Sequence, residues 1–261
     1  MELTIIGAGP AYTDRRGAAS ASYLVRAADA ALLLDLGQGA FPNLAATLEP
    51  SLLTAVLISH LHPDHFVDLV PLRHYLAWEF KPGRRVRVLG PLGLGDRLDA
   101  LHAHPGFAAA ALDVEPLSEG TMRVGPFEVE VRRVTHTDES YAFRISATPA
   151  GTRPGAADAR PTANPGLVYS GDCGRGDDLL PLIRPGDTLL SEASFGAGSA
   201  PPGAHHLNAA AAGSVAAEGR AARLLLTHIQ MGCDRGEALA AAEAVFAGVV
   251  RLVTEGDQFV V

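Results

Sequence analysis

The sequence predicts a mixed α/β fold, and three observations carry that prediction. Short apolar runs such as Leu3-Thr4-Ile5-Ile6-Gly7, Ala55-Val56-Leu57-Ile58 and Leu224-Leu225-Leu226 have the length and composition of buried strands. Between such runs lie longer stretches with helical apolar spacing, Val67 to Phe80 and Ala209 to Glu218 being the clearest. The chain also echoes itself once. Val56-Leu57-Ile58-Ser59-His60-Leu61 is matched in chemistry by Leu224-Leu225-Leu226-Thr227-His228-Ile229, each an apolar strand that delivers Ser or Thr, then His, then an aliphatic residue. Two halves that each present a histidine from a strand end would share a site at their junction.

Taken in order, the opening run is followed by strands at Ser22 to Arg26 and Ala31 to Asp35. Gly7-Ala8-Gly9-Pro10 between the first two is read as a glycine turn beside the active site, because no third glycine opens a helix and another strand follows. A short helix is expected over Phe41 to Leu48. The longer one over Val67 to Phe80 places Leu69, Leu72, Tyr75, Leu76 and Trp78 on a broad apolar face, stopped by Lys81-Pro82-Gly83. A strand at Val86 to Leu89 and a helix near Leu92 to Ala103 follow, then strands near Leu112 to Pro116, Thr121 to Val124, Phe127 to Val134 and Tyr141 to Ala147. Ala150 to Pro165, rich in Gly, Pro, Ala and Thr, reads as a loop within one domain spanning residues 1–261. Beyond it come a strand at Gly166 to Tyr169, a helix near Asp177 to Ile183, a strand at Thr188 to Leu190 and the helix Ala209 to Glu218. The strand Leu224 to Leu226, a helix over Glu237 to Phe246 and closing strands near Val249 to Val253 and Gln258 to Val261 complete the chain.

At 261 residues the chain is long enough for a sizeable core, and its 48% hydrophobic and 19% charged residues are ordinary for a globular enzyme. A formal net charge of -8 argues against a surface built to grip nucleic acid. No apolar run reaches the ~18 residues needed to span a bilayer, and no basic leader precedes the first strand, so a cytoplasmic protein without membrane attachment is expected. Cys173 and Cys233 fit no disulfide or zinc-ribbon spacing.

The chemistry concentrates in Ser59-His60-Leu61-His62-Pro63-Asp64-His65, three imidazoles and a carboxylate directly after an apolar strand. In an extended segment His60 and His62 point the same way, so both can reach one ion. Asp64 and His65 follow a proline that ends the extended run and can face a second ion beside the first. Imidazole nitrogen with carboxylate oxygen is a donor set for zinc-type ions. This His-x-His-x-Asp-His pattern resembles the signature of the metallo-β-lactamase superfamily of binuclear metal hydrolases. The resemblance covers nearly the whole chain and implies a four-layer αββα sandwich with the site at the junction of its halves.

It also implies the remaining ligands. His136, at a strand end in Arg133-Val134-Thr135-His136-Thr137, would join His60 and His62 on the first ion. Asp172, in Tyr169-Ser170-Gly171-Asp172-Cys173, matches an aspartate that bridges both ions, and His228 would complete the second site with Asp64, His65 and Asp172. Asp35, in Asp35-Leu36-Gly37, stands where relatives use an aspartate to brace the metal loop. Cys173 is assigned to packing. Ser191-Glu192-Ala193-Ser194-Phe195 and His206-Leu207-Asn208-Ala209 resemble elements of the ribonuclease Z-like phosphodiesterase branch, although Ser191 and Asn208 depart from its histidine and threonine. By that resemblance His206 is an acid near the leaving group and Glu192 orients it.

The function so implied is a binuclear metal-dependent phosphodiesterase acting on a cyclic nucleotide or a similar small phosphodiester. Two divalent ions, zinc by default with manganese or iron as alternatives, would supply a bridging hydroxide oriented by Asp64. Transfer RNA 3′-processing ranks lower, because a long Gly/Pro-rich arm usual in the processing enzymes is missing and RNA-gripping charge is poor. Hydrolysis of a lactone, thioester or sulfate ester on the same centre is the other alternative. Apolar helix surface near Leu69 to Trp78 suggests a homodimer.

Overall fold

Side chains alternate between the two faces of a strand, and here both faces of the central strands find apolar partners. The computed structural model describes residues 1–147 and 165–261. One sheet holds β1 (Glu2–Gly7), β2 (Ser22–Ala27), β3 (Ala30–Leu34), β4 (Ala55–Leu57), β5 (Val86–Gly90), β6 (Leu112–Pro116) and β14 (Gln258–Val260), in the order β14-β1-β2-β3-β4-β5-β6. The other holds β7 (Gly120–Val124), β8 (Phe127–Arg133), β9 (Tyr141–Ala147), β10 (Leu167–Tyr169), β11 (Thr188–Glu192), β12 (Arg223–Thr227) and β13 (Val249–Leu252), in the order β13-β12-β11-β10-β9-β8-β7.

Leu32, Leu34 and Leu57 of the first sheet share a buried cluster with Phe143, Tyr169, Leu190 and Leu225 of the second, so the sheets pack on one another. Their alternates turn outward. Leu33, Val56 and Val88 pack against α1 (Ala40–Thr47), α3 (Leu69–Trp78) and α4 (Leu94–Leu101). Val168, Leu189 and Leu224 pack against α5 (Ala209–Glu218) and α6 (Arg235–Glu243). The result is the expected four-layer αββα sandwich. Each fully buried Leu or Phe contributes ~1.5–3 kcal/mol. Among the described residues no helix is long and apolar enough to cross a membrane.

The two sheets share a plan. From one edge, each runs through three antiparallel pairings and then three parallel ones, β14-β1-β2-β3 before β4-β5-β6 and β7-β8-β9-β10 before β11-β12-β13. By position β4 therefore answers to β11 and β3 to β10. The sequence echo between the β4 and β12 segments does not mark equivalent strands, although both do deliver their histidines to one place.

Two expectations need correction, and the placement of Asp64 and His65 gains detail. No α-helix forms over Asp177 to Ile183, only a 3-10 turn at Gly176–Asp178. Pro181 has no N–H and disfavours helical backbone at the residue before it. Asp64 and His65 sit on a one-turn helix, α2 (Pro63–Phe66), which Pro63 opens at its first position. The apolar face expected for a dimer is spent inside the molecule: Leu69, Leu72 and Leu76 are buried under the first sheet, and only Trp78 remains 66% exposed, stacked on His74. Of the expected loop Ala150 to Pro165, all but Pro165 lies outside the described residues.

A buried ion pair ties the second sheet together. Asp187 accepts from Arg144 Nε at 2.7 Å and Nη2 at 2.9 Å, and from the backbone N–H groups of Gly166 and Arg184. Removing one partner of such a pair costs ~3–5 kcal/mol. Asp187→Ala should lower stability by about that amount, read from the urea midpoint; a loss below ~1 kcal/mol would show that the pair is not needed.

Candidate metal centre and active site

The site begins with one buried carboxylate. Asp35 follows β3 with φ at 56°, a left-handed conformation that aspartate tolerates better than most residues. Its Oδ1 accepts from Ser59 N at 2.6 Å, and its Oδ2 accepts from Ser59 Oγ at 2.7 Å and Tyr169 Oη at 2.6 Å. The same Oδ2 lies 2.7 Å from His65 Nδ1, which fixes that ring with Nε2 toward the site. Asp35 thus joins the ends of β3, β4 and β10 to α2. Gly37 completes the approach: a Cβ there would lie 1.9 Å from the Asp64 carbonyl oxygen.

Two donor groups result, and Asp172 and His228 also form a third, overlapping group with His206. His60 Nε2 and His136 Nε2 lie 3.0 and 3.1 Å from His62 Nδ1, and each lies 3.7 Å from Asp172 Oδ2. Across from them, His228 Nε2 is 3.2 Å and His65 Nε2 is 3.6 Å from Asp64 Oδ2. Asp172 faces both groups, with Oδ2 3.4 Å from His65 Nε2 and Oδ1 3.6 Å from His228 Nε2. All seven expected ligands therefore converge.

The donor set fits metal on two counts. Tetrahedral zinc with bonds of ~2.0–2.1 Å separates its ligand atoms by roughly 3.3–3.5 Å, within the 3.0–3.7 Å spread seen here. His65 Nε2 and Asp172 Oδ1 are moreover buried without a hydrogen-bond partner. Such orphaned atoms are costly unless a cation meets them.

Charge divides between the two donor groups: burial opposes the charge on His65 and His228, but the Asp172 carboxylate outweighs it and raises both, whereas the three imidazoles of the other group are lowered. Burial holds the His60 imidazole well below its ordinary pKa, and burial likewise lowers His62 and His136, so all three are neutral as ligation requires. His136 Nδ1 donates to the His205 carbonyl at 2.7 Å, leaving Nε2 as the lone-pair atom. Burial opposes ionisation of Asp172, but the charges of His228 and His65 outweigh it and hold the carboxyl well below the usual range. Burial also opposes the charge on Asp64, where the hydrogen bond with His228 and the charge of His65 prevail and lower it.

A second carboxylate organises the rim. Glu192 Oε1 accepts from Cys173 N and Leu207 N at 3.0 Å, and Oε2 accepts from Ser194 N at 2.9 Å and Ser194 Oγ at 2.7 Å. His206 Nδ1 lies 3.1 Å from Glu192 Oε1. Burial disfavours the charged His206 ring, but the Glu192 hydrogen bond and charge outweigh it, and its pKa is raised. Asn208 caps α5 by accepting from Ala211 N, and its amide donates to the Gly198 carbonyl. A cavity of about 280 Å³ opens above the donors, lined by Tyr12, His62, Asp64, Asp172, His206, His228 and Gln230 among others. The Gly7 to Pro10 turn does border it, through Pro10.

Cys173 lies outside the donor groups; burial pushes its thiol up to about 12, and it bonds the Arg175 carbonyl. Ser59, Tyr169 and Ser194 were not singled out from sequence. Ser194 Oγ lies 3.0 Å from His228 Nδ1 while donating to Glu192, linking the rim to a donor residue. Their only signal is a position within three residues of a candidate ligand or of Glu192 near a strand end.

Residues 32–229 match the family described as the beta-lactamase superfamily domain. The chain belongs to the metallo-β-lactamase superfamily. Within this superfamily, an uncharacterized protein of Mycobacterium leprae is 32% identical over 271 residues, covering 99% of this chain and 88% of that one. The probable metallo-hydrolase YhfI of Bacillus subtilis is 27% identical over 98% of both chains. The YhfI crystal structure matches with a TM-score of 0.83 at 24% identity, over 99% of this chain and 98% of that one. The short form of human tRNase Z shares the fold, with a TM-score of 0.70 at 21% identity over 100% of this chain and 99% of that one. Membership makes the protein a metallo-hydrolase, and the histidine and aspartate cluster agrees with binding of divalent metal.

Partners that orient metal-binding histidines typically change affinity ~10–100-fold when removed. Asp35→Asn should weaken zinc binding by that factor in competition with a chromophoric chelator; unchanged affinity would assign Asp35 to folding alone.

Proposed function

We propose that this metallo-hydrolase is a phosphodiesterase for small phosphodiesters, cyclic mononucleotides foremost, built as a single domain over residues 1–261. His60, His62 and His136 are the proposed donors to one divalent ion and Asp64, His65 and His228 to a second, with Asp172 serving both. Zinc is the default for imidazole and carboxylate donors, with manganese or iron as alternatives. Bound ions of this kind lower the pKa of a water and offset charge developing on oxygens attached to phosphorus.

The chain's own residues supply orientation and the proton. Asp64, held ionised beside His228, can accept a hydrogen bond from the attacking water and so fix its direction. His206 lines the cavity with Nδ1 engaged by Glu192, which leaves Nε2–H to protonate the departing oxygen. This His206–Glu192 pair is the observation that carries the phosphodiesterase reading. An alkoxide leaving group needs an acid, and the hydrogen bond keeps the imidazolium available. The cavity of about 280 Å³ supports a small substrate over a transfer RNA, as does the net charge of -8.

Metal-reconstituted protein should hydrolyse bis-p-nitrophenyl phosphate and cyclic mononucleotides in preference to unprocessed transfer RNA, an aryl sulfate or a lactone. Activity should vanish in Asp172→Ala, and His206→Ala should lower phosphodiester turnover by ~10²–10⁴-fold. Turnover of the lactone or the sulfate alone would sink the assignment of His206 as leaving-group acid.

The pH dependence has a definite sign. A histidine whose pKa is raised in the folded protein keeps its proton above the ordinary value, so activity that needs the acid is full at lower pH and lost as pH rises through the raised pKa. Because Glu192 is the largest contribution raising it, Glu192→Gln should move the alkaline limb of the kcat profile to lower pH. A limb that stays in place would detach Glu192 from the acid.

A further inference from the structure

The cavity above the donors has an aromatic wall. Pro10, Ala11 and Tyr12 line it consecutively on the loop between β1 and β2, and Tyr12 is 62% exposed. Exposed aromatic rings are common on protein surfaces, so position and rigidity decide what this one means.

The backbone leading to Tyr12 is pinned at nearly every residue. Gly9 N donates to the Ala19 carbonyl at 2.8 Å, Ser20 Oγ to the Pro10 carbonyl at 2.9 Å, and Gln38 Nε2 to the Ala11 carbonyl at 2.6 Å. Glu255 Oε1 accepts from both Ala8 N and Ala19 N at 3.3 Å. A Cβ at Gly7 would lie 2.0 Å from the Ser20 carbonyl oxygen, and one at Gly9 2.9 Å from that of Ala19, so glycine alone lets the two loop arms lie this close. His228 N donates to the Ala8 carbonyl at 3.1 Å, which ties the same segment to a proposed metal donor. The backbone leading to Tyr12 is therefore a preformed support beside the donors. Preorganised contact surface loses little conformational freedom on binding.

What such a wall accepts follows from its shape and size. A flat ring beside a polar floor suits a ligand with a planar face at one end and a charged ester at the other. The cavity, about 280 Å³, is just below the ~300–1,000 Å³ range of drug-sized sites, so it has room for no more than one nucleotide-sized group. Gln230 lines the same cavity with an amide that both donates and accepts, as a base edge requires.

We propose that Tyr12 is a specificity-determining residue on whose ring the nucleobase of the substrate stacks, so that the preferred phosphodiester is a mononucleotide. This rests on the phosphodiesterase reading and assigns the recognition of the base to a residue. The test compares kcat/KM for adenosine 3′,5′-cyclic phosphate with that for the base-free ribose 3′,5′-cyclic phosphate, in metal-reconstituted wild type, Tyr12→Ala and Tyr12→Phe. In Tyr12→Ala the preference for the nucleotide should fall roughly 5- to 150-fold, the ~1–3 kcal/mol of base–aromatic stacking converted at ~1.4 kcal/mol per tenfold. The loss should appear in KM more than in kcat, and Tyr12→Phe should retain the preference. An unchanged preference in Tyr12→Ala, an equal loss in Tyr12→Phe, or a wild type indifferent to the base would each overturn the inference while leaving the phosphodiesterase intact. Wild type that hydrolyses neither compound, yet cleaves the lactone or the sulfate, would instead remove the reading beneath it.

Discussion

The Asp35 carboxylate is the constraint on which the rest of the site depends. It is fully buried and takes hydrogen bonds from the Ser59 amide and hydroxyl, the Tyr169 hydroxyl and the His65 ring. Those partners come from two strand ends and a one-turn helix, and Tyr169 belongs to the opposite sheet. A single side chain thus sets the distance between the halves of the molecule where the candidate donors must meet. The buried Tyr23 and Tyr169 rings, 4.9 Å apart between the sheets, reinforce that spacing, and Tyr23 Oη reaches Thr227 Oγ1 at 2.8 Å just before His228.

Around this brace the electrostatics divide by position. Burial keeps the imidazoles of His60, His62 and His136 neutral, whereas Asp172 and Asp64 stay ionised because histidines crowd them. Without cations the protein must leave His65 Nε2 and Asp172 Oδ1 unsatisfied in the interior. Polar atoms are rarely buried so without a purpose. Glu192 repeats the logic at the rim, where five hydrogen bonds hold a carboxylate rigid and let it orient one partly exposed histidine.

Much of this was legible in the sequence, for identifiable reasons. Strands such as Ala55-Val56-Leu57 are continuous apolar runs because both faces are covered, and the ligands follow them directly, so pattern and chemistry coincide. The seven donors stand at strand ends, in loops or on the short α2, where local sequence and position correspond. What escaped notice depends on contacts distant in sequence. Tyr169 reaches Asp35 across 134 positions, and the carbonyl of His205 holds His136 across 69. The apolar face of α3 was visible, but which neighbour covered it was not, and the first sheet proved to be the cover. The repeat between the β4 and β12 segments was genuine as chemistry and misleading as symmetry, because strand order cannot be read from local similarity.

The donors are divided between the sheets. His60, His62, Asp64 and His65 follow β4, while His136, Asp172 and His228 follow β8, β10 and β12. Neither half alone offers the set, and Asp172, which faces both groups, is brought to the N-terminal donors only when the sheets have docked. Metal affinity at these candidate donors would therefore be a property of the assembled sandwich, with the free energy of loading delivered to the seam between its halves. An ion held by these candidate donors would act as a clasp on the finished sandwich, favouring it over any chain in which the two sheets have formed apart.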